Sequence, residues 1–255
     1  MAFLARDEIH LLLISEEAVD DELLAHYPAL LSSEEMVRHA RFRFAEDRRR
    51  FLITRAAIRS ALSIYFPDVA PAVWQFSSNV HGRPAISAPV LVNVPTFNIS
   101  HTNGLIVIAI ANGGELGVDV ESVGRSSSTL EVADRFFSRQ EVSALMALSE
   151  SERRSRFFDL WTLKEAWIKA LGMGLAMPLH SFSFDFSESR IAISFACERN
   201  DDPTRWQFWQ WRLSTEHQVA LAFATEPGKK MRVLTRNLVP MRSIELVELV
   251  PFRTS

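Results

Sequence analysis

Apolar positions in this chain switch several times between a helical and an alternating rhythm, and the switches mark its elements. Ile9 to Ile14, apolar except at His10, is a run of strand length, which fits a buried strand. Ser15 to Leu31 carries a helical pattern that Pro28 interrupts near its end. Ser32-Ser33-Glu34-Glu35 has the order of a capping box, in which a serine hydroxyl and a glutamate three residues on satisfy free backbone amides at a helix start. From Glu34 to Phe66 the pattern stays helical, with a break expected near Phe44–Asp47 and an apolar face of Phe51, Ile58, Leu62 and Tyr65.

Strand-like pieces follow: Val73–Phe76, a turn at Val80–Pro84, and Pro95–His101. Asn103-Gly104 predicts a hairpin into Leu105–Ala111, and Asn112-Gly113-Gly114 a turn into Leu116–Glu121, which makes an antiparallel meander. Ser128 or Thr129 is the expected cap of a helix over Leu130–Phe137, and Ser138 with Glu141 forms another capping box. A helix from near Glu152 to the Gly172/Gly174 pair is apolar almost all round, the mark of a buried helix. Phe182, Phe184 and Phe186 alternate as a strand; Ile191–Phe195, Trp206–Leu213 and Val219–Ala224 read as three more, and Ile244–Val250 as a helix or an added strand. The boundary between the halves is expected near Gly113, giving 1–113 and 114–255 joined tightly by the meander.

Composition narrows the class. With 47% hydrophobic and 23% charged residues and a net charge of −3, the chain reads as soluble and globular, one large or two small domains. Cys197 is the only cysteine, so no intrachain disulfide forms and a reducing, cytoplasmic setting is expected. No apolar run approaches the roughly twenty residues that cross a bilayer, and Arg6, Asp7 and Glu8 precede an apolar run too short for a secretory signal. Arg38, Arg41, Arg43, Arg48, Arg49, Arg50, Arg55 and Arg59 crowd the first helical region. They suit a solvated surface or phosphate recognition. Nucleic acid is disfavoured by the acidic total and by Glu34, Glu35, Glu46 and Asp47 among the arginines.

Two stretches carry candidate chemistry. Gly117-Val118-Asp119-Val120-Glu121 alternates, so a strand there puts Asp119 and Glu121 on one face. Neighbouring carboxylates repel unless a cation or proton lies between them. Glu165 and Lys169, four apart, share a face of the buried helix. That spacing also suits a simple helix-surface ion pair, and D-x-E alone suits a half-buried strand with a polar outer face. With Glu165 as a third acid, the set suits a small hard divalent ion such as magnesium.

G-V-D-V-E followed some forty residues later by W-T-L-K-E-A-W-I-K-A-L-G-M-G-L resembles the signature pair of the 4'-phosphopantetheinyl transferases. These enzymes move phosphopantetheine from coenzyme A to a carrier-protein serine. Gly82-Arg83-Pro84, Phe97–His101, Arg135–Ser138 and Pro178–Phe182 extend the likeness over roughly residues 8 to 225. The longer, monomeric group typified by the enzyme that activates surfactin synthetase is the more similar one. The resemblance implies an α+β fold of two similar subdomains related by pseudo-twofold symmetry, with coenzyme A in the cleft between them. It implies nucleotide contacts from the first subdomain, and the metal site and catalytic helix in the second. By the same resemblance Asp119, Glu121 and Glu165 match magnesium ligands, Lys169 a lysine beside the reacting phosphate, and Glu165 the candidate base. Arg83, Ser100, His101 and Arg38 match coenzyme A contacts, the last three at the 3'-phosphate. Glu35 is acidic where relatives can be basic. The implied partner is an apo acyl or peptidyl carrier protein, and the implied by-product 3',5'-ADP. Two rivals stay open: a non-catalytic coenzyme A or carrier-binding protein, and a magnesium-dependent hydrolase of coenzyme A.

Overall fold

Two long helices and two large sheets carry the buried clusters of the fold, beside a small third sheet of two strands. The structure, a computed structural model, describes residues 4–124, 129–174, 177–187, 189–196 and 201–255. Strand β1 (Glu8–Ser15) leads through α1 (Asp21–His26) and α2 (Ser33–Arg41) to the long α3 (Ala45–Tyr65). The run expected as a single helix over Ser15–Leu31 is shorter, because Asp20 caps α1 at Leu23 and Pro28 sits in a separate tight turn. Ser32 and Glu35 form the expected capping box of α2, and the expected break falls at Phe42–Phe44, slightly ahead of Phe44–Asp47, because α3 already starts at Ala45. Next come β2 (Gln75–Ser78), which begins two residues later than its pattern suggests, β3 (Pro84–Ala88), β4 (Thr96–Thr102), β5 (Leu105–Ala111) and β6 (Glu115–Ser122).

The second half holds α4 (Thr129–Phe136), α5 (Arg139–Met146) with its Ser138/Glu141 capping box, and α6 (Glu150–Leu171), ended by Gly172 in the left-handed region. The expected cap at Ser128 lies outside the described residues. The strands β7 (Phe182–Ser187), β8 (Arg190–Phe195), β9 (Trp206–Arg212), β10 (His217–Ala224), β11 (Arg232–Val239), β12 (Ser243–Leu246) and β13 (Arg253–Thr254) complete the chain.

The first sheet has the order β12-β11-β1-β5-β4 and the second β6-β10-β9-β13-β8-β7. Helix α3 buries Ile53, Ala57 and Leu62 against Leu12, Ile106 and Ile108 of the first sheet. Helix α6 buries Ala166, Trp167 and Ala170 against Ala220 and Ala222 of the second. The opposite faces of the sheets meet through Leu11, Val107, Val118, Val120, Val219 and Leu221. The layers run helix, sheet, sheet, helix, so the helix-on-sheet lobe occurs twice, the α+β arrangement that the motifs imply.

A cut at Gly113 separates the sheets only as far as β10. The free edge of β1 is taken in parallel by β11, Ile9 opposite Val233, so β11 and β12 lie in the first sheet although they follow the second-half strands. Of the Ile244–Val250 stretch, only residues through Leu246 are strand.

Candidate active site

Strand β6 is where sequence pattern becomes geometry. Its alternation sends Leu116, Val118 and Val120 between the sheets, and therefore Gly117, Asp119 and Glu121 toward α6. A Cβ at Gly117 would stand 2.0 Å from the Ala166 carbonyl oxygen and 2.4 Å from the Ala170 nitrogen. Glycine thus lets the helix lie directly on the strand, and that contact brings Glu165 and Lys169 beside Asp119.

The Lys169 ammonium crosses to the strand. Its Nζ is 2.7 Å from Asp119 Oδ1 and donates to Ser100 Oγ at 2.9 Å. The Ser100 hydroxyl donates to the same Asp119 oxygen at 2.9 Å and accepts the Val120 N–H. Asn98 Oδ1 accepts the Val118 N–H at 2.9 Å, so two side chains of β4 stitch its sheet to the edge of β6. Asp119 is 3% exposed and its Oδ2 is buried with no partner. Glu121 accepts from Trp161 Nε1 at 3.2 Å. Burial, then the Asp119 charge, push the Glu165 carboxyl up to about 7; Glu121 adds to the rise and Lys169 opposes it. Glu165 thus feels both other acids, yet among the described residues no three acidic, cysteine or histidine side chains close to metal-ligand geometry.

The nucleotide-contact candidates separate. His101 leaves β4 on the face opposite Ser100, and desolvation, then the charges of Arg50 and Lys169, push its pKa down. Ser100 hydrogen-bonds Asp119 and Lys169 at the carboxylate end of the site. Arg38 is exposed, 5.5 Å over the Phe51 ring, and lines a cavity of about 430 Å³ with Arg55, Arg59 and Phe76. Glu165, Lys169, Arg83 and Asn98 line a second cavity of about 230 Å³, which shares Pro84 as a wall with the first. Glu35 is acidic for local reasons: it caps α2 and pairs with Arg59 at 2.6 Å and Arg55 at 3.4 Å. Arg83 gives Nη1 to the Lys169 and Ala170 carbonyls and Nη2 to that of Leu116.

No spacing in the sequence marks Arg50 as a neighbour of His101, whose pKa its charge lowers. Arg50 is held by Glu16, Asp47 and Asn103, and only the packing of α3 against the β4–β5 hairpin brings it there. Lys164, next to Glu165 in the motif, points the other way. Its Nζ is fully buried, pairing with Glu141 and donating to the Leu179 and Phe182 carbonyls, all at 2.8 Å.

Residues 115–224 match the 4'-phosphopantetheinyl transferase superfamily, and residues 18–113 match the 4'-phosphopantetheinyl transferase N-terminal family. The chain is 35% identical over 173 residues to the 4'-phosphopantetheinyl transferase HetI of Nostoc sp., covering 68% of this chain and 72% of that protein. It is 31% identical over 220 residues to psf-1 of Bacillus pumilus, covering 85% and 84%. With Sfp of Bacillus subtilis the identity is 36% over 157 residues, covering 62% and 67%; both of these carry the same enzyme name. The chain belongs to the 4'-phosphopantetheinyl transferase superfamily, and it is a transferase.

Proposed function

We propose that the protein transfers the 4'-phosphopantetheine group of coenzyme A to a serine of an apo acyl or peptidyl carrier protein, with magnesium, releasing 3',5'-ADP. The observation that carries this reading is the convergence of Lys169, Asp119, Ser100 and the desolvated Glu165 at β6. A divalent ion suits the donor set. Asp119, Glu121 and Glu165 offer only oxygen, Asp119 Oδ2 is buried without a partner, and the neighbouring acids raise the Glu165 pKa. When bound, magnesium supplies charge neutralisation at the diphosphate oxygens.

In the transfer, the carrier serine oxygen forms a bond to the phosphorus that carries the pantetheine arm. The bond from that phosphorus to the bridging oxygen breaks, and that oxygen leaves with 3',5'-ADP. Positioning and charge compensation dominate such a step. Lys169 compensates the leaving oxygen, and Glu165 takes the serine proton. His101 and Arg38 are assigned to the nucleotide end. The single cysteine and the likeness to the monomeric group support a cytoplasmic monomer.

The test is to incubate the protein with coenzyme A, magnesium and an apo carrier, then to weigh the carrier. Gain of one phosphopantetheine group is expected. Coenzyme A consumed over an unmodified carrier would indicate a hydrolase, and no reaction a binding protein. Lys169→Met keeps the apolar stem and removes the charge. It should bind coenzyme A and magnesium yet transfer at least about a hundredfold more slowly, on the order of 3 kcal/mol. Turnover within about threefold of the parent, with a lowered melting temperature, would leave Lys169 only a strut between α6 and β6.

Glu165 yields a pH prediction. Its folded pKa of about 7 lies above the ordinary 4.5. Between these values the folded protein holds a proton that the unfolded chain has released, so stability falls as the pH rises from 4.5 to about 7. Glu165→Gln lacks this slope. Without metal, its melting-temperature advantage over the parent should grow from about pH 5 to about pH 7, and magnesium should shrink it. A difference that stays flat in calorimetry would remove Glu165 from the acid cluster.

A further inference from the structure

The turn between β2 and β3 closes on the end of the catalytic helix. Asn79 Oδ1 accepts the N–H groups of His81 and Arg83, both at 2.9 Å, which fixes the turn. From that turn Asn79 Nδ2 donates to the Gly172 carbonyl at 3.0 Å, and Arg83 Nη1 to those of Lys169 and Ala170 at 3.1 and 2.7 Å. The last carbonyls of a helix have no partner within it and carry its negative dipole end. Arg83 Nη2 donates to the Leu116 carbonyl at 3.1 Å, on the strand that holds Asp119. Gly172 makes room: a Cβ there would lie 3.1 Å from Arg83 Cδ. One guanidinium therefore ties the final turn of α6 to β6. Its pKa is lowered by burial, the only cause acting on it.

We propose that Arg83, with Asn79, is a positioning residue that sets Lys169 against Asp119 by holding the Lys169 and Ala170 carbonyls. This rests on the transfer reading for its catalytic consequence. Lys169 Nζ meets Asp119 Oδ1 at 2.7 Å and Ser100 Oγ at 2.9 Å, while the carbonyl of the same residue is among the three that Arg83 grips. A shift of the helix end moves both together. Two nitrogens of one planar fork reach three carbonyls on two elements; a lysine would have to reach them from a single nitrogen, with different geometry.

The experiment compares Arg83→Lys, Asn79→Ala and the double variant with the parent. Transfer rate, KM for coenzyme A and amide exchange at the α6 end are measured for each. Gly172 N–H, which donates to the Ile168 and Lys169 carbonyls, reports on the helix end whether or not transfer occurs. Arg83→Lys should lower kcat at least tenfold with KM for coenzyme A within about twofold, because a lost positioning contact acts on the transition state. Asn79→Ala should move kcat in the same direction. The double variant should lose less than the product of the two, because both act on one turn. Exchange at Gly172 should speed up in all three. A raised KM with kcat unchanged, and a silent Asn79→Ala, would make Arg83 a coenzyme A contact and overturn the proposal. Unchanged Gly172 exchange would overturn it too, as would a lowered melting temperature without any change in kcat. A parent that modifies no carrier defeats the transfer reading and with it the catalytic role; Gly172 exchange then reports separately on the clasp.

Discussion

Asp119→Ala should abolish transfer, by at least about a thousandfold or roughly 4 kcal/mol in the barrier, and leave a folded protein. Asp119 touches both the cation and the serine of the site: Oδ1 takes Lys169 Nζ and Ser100 Oγ, and Oδ2 is buried without a hydrogen-bond partner. Its removal strands Lys169, but that side chain is 29% exposed and can turn to water, so the fold survives. Asp119→Asn gives the sharper measurement. The Asp119 charge is the second cause, after burial, of the raised Glu165 pKa, so the Glu165 carboxyl should titrate below about 7 once that charge is gone. Carboxyl resonances followed by NMR check this directly. An unmoved Glu165 in Asp119→Asn, with turnover near that of the parent at low magnesium, would defeat the shared acid site.

Features written by neighbours in sequence were legible. Ser32/Glu35 and Ser138/Glu141 form the capping boxes their spacing predicts, and Asn103-Gly104 turns β4 into β5 with Thr102 opposite Leu105. The alternation of Asp119 and Glu121 put both acids on the α6 face for the same local reason. Pairing across long separations was not legible. Nothing in Arg232–Val239 says that it lies parallel to β1, or in Arg253 that its backbone pairs with Gln210 and its guanidinium with Asp159 of α6 at 2.7 Å. Arg83 shows the limit at the site: its partners are carbonyls, which every residue owns, so no spacing of side chains can mark them. The partners of Ser100 were hidden too, because its neighbour His101 points to the other face and only the pleat separates the two.

Gly117→Ala should do more damage than any other single methyl group in the site. The new Cβ would fall 2.0 Å from the Ala166 oxygen and 2.4 Å from the Ala170 nitrogen, with the Ala170 Cα at 3.0 Å. All three are backbone atoms, and a helix pairs the nitrogen and oxygen of residues four apart. The methyl therefore strikes the hydrogen-bonded turn that carries Lys169, and no rotamer change relieves it. Overpacking costs about 1–3 kcal/mol where side chains can yield; two backbones in contact place this case at the upper end or above. At roughly 2–4 °C per kcal/mol, the melting temperature should fall by about 6–12 °C. The surviving fold must lift α6 from β6 and draw Lys169 from Asp119, so transfer should drop by at least about a hundredfold. Gly228→Ala is the control. Its glycine has φ of 83°, and a Cβ there would meet nothing within 4 Å, so it costs only the left-handed strain of about 1–2 kcal/mol and leaves the rate alone. A Gly117→Ala protein that melts with the parent and transfers at its rate would mean that the helix does not rest on β6 at all, and the placement of Glu165 and Lys169 beside Asp119 would fall with it.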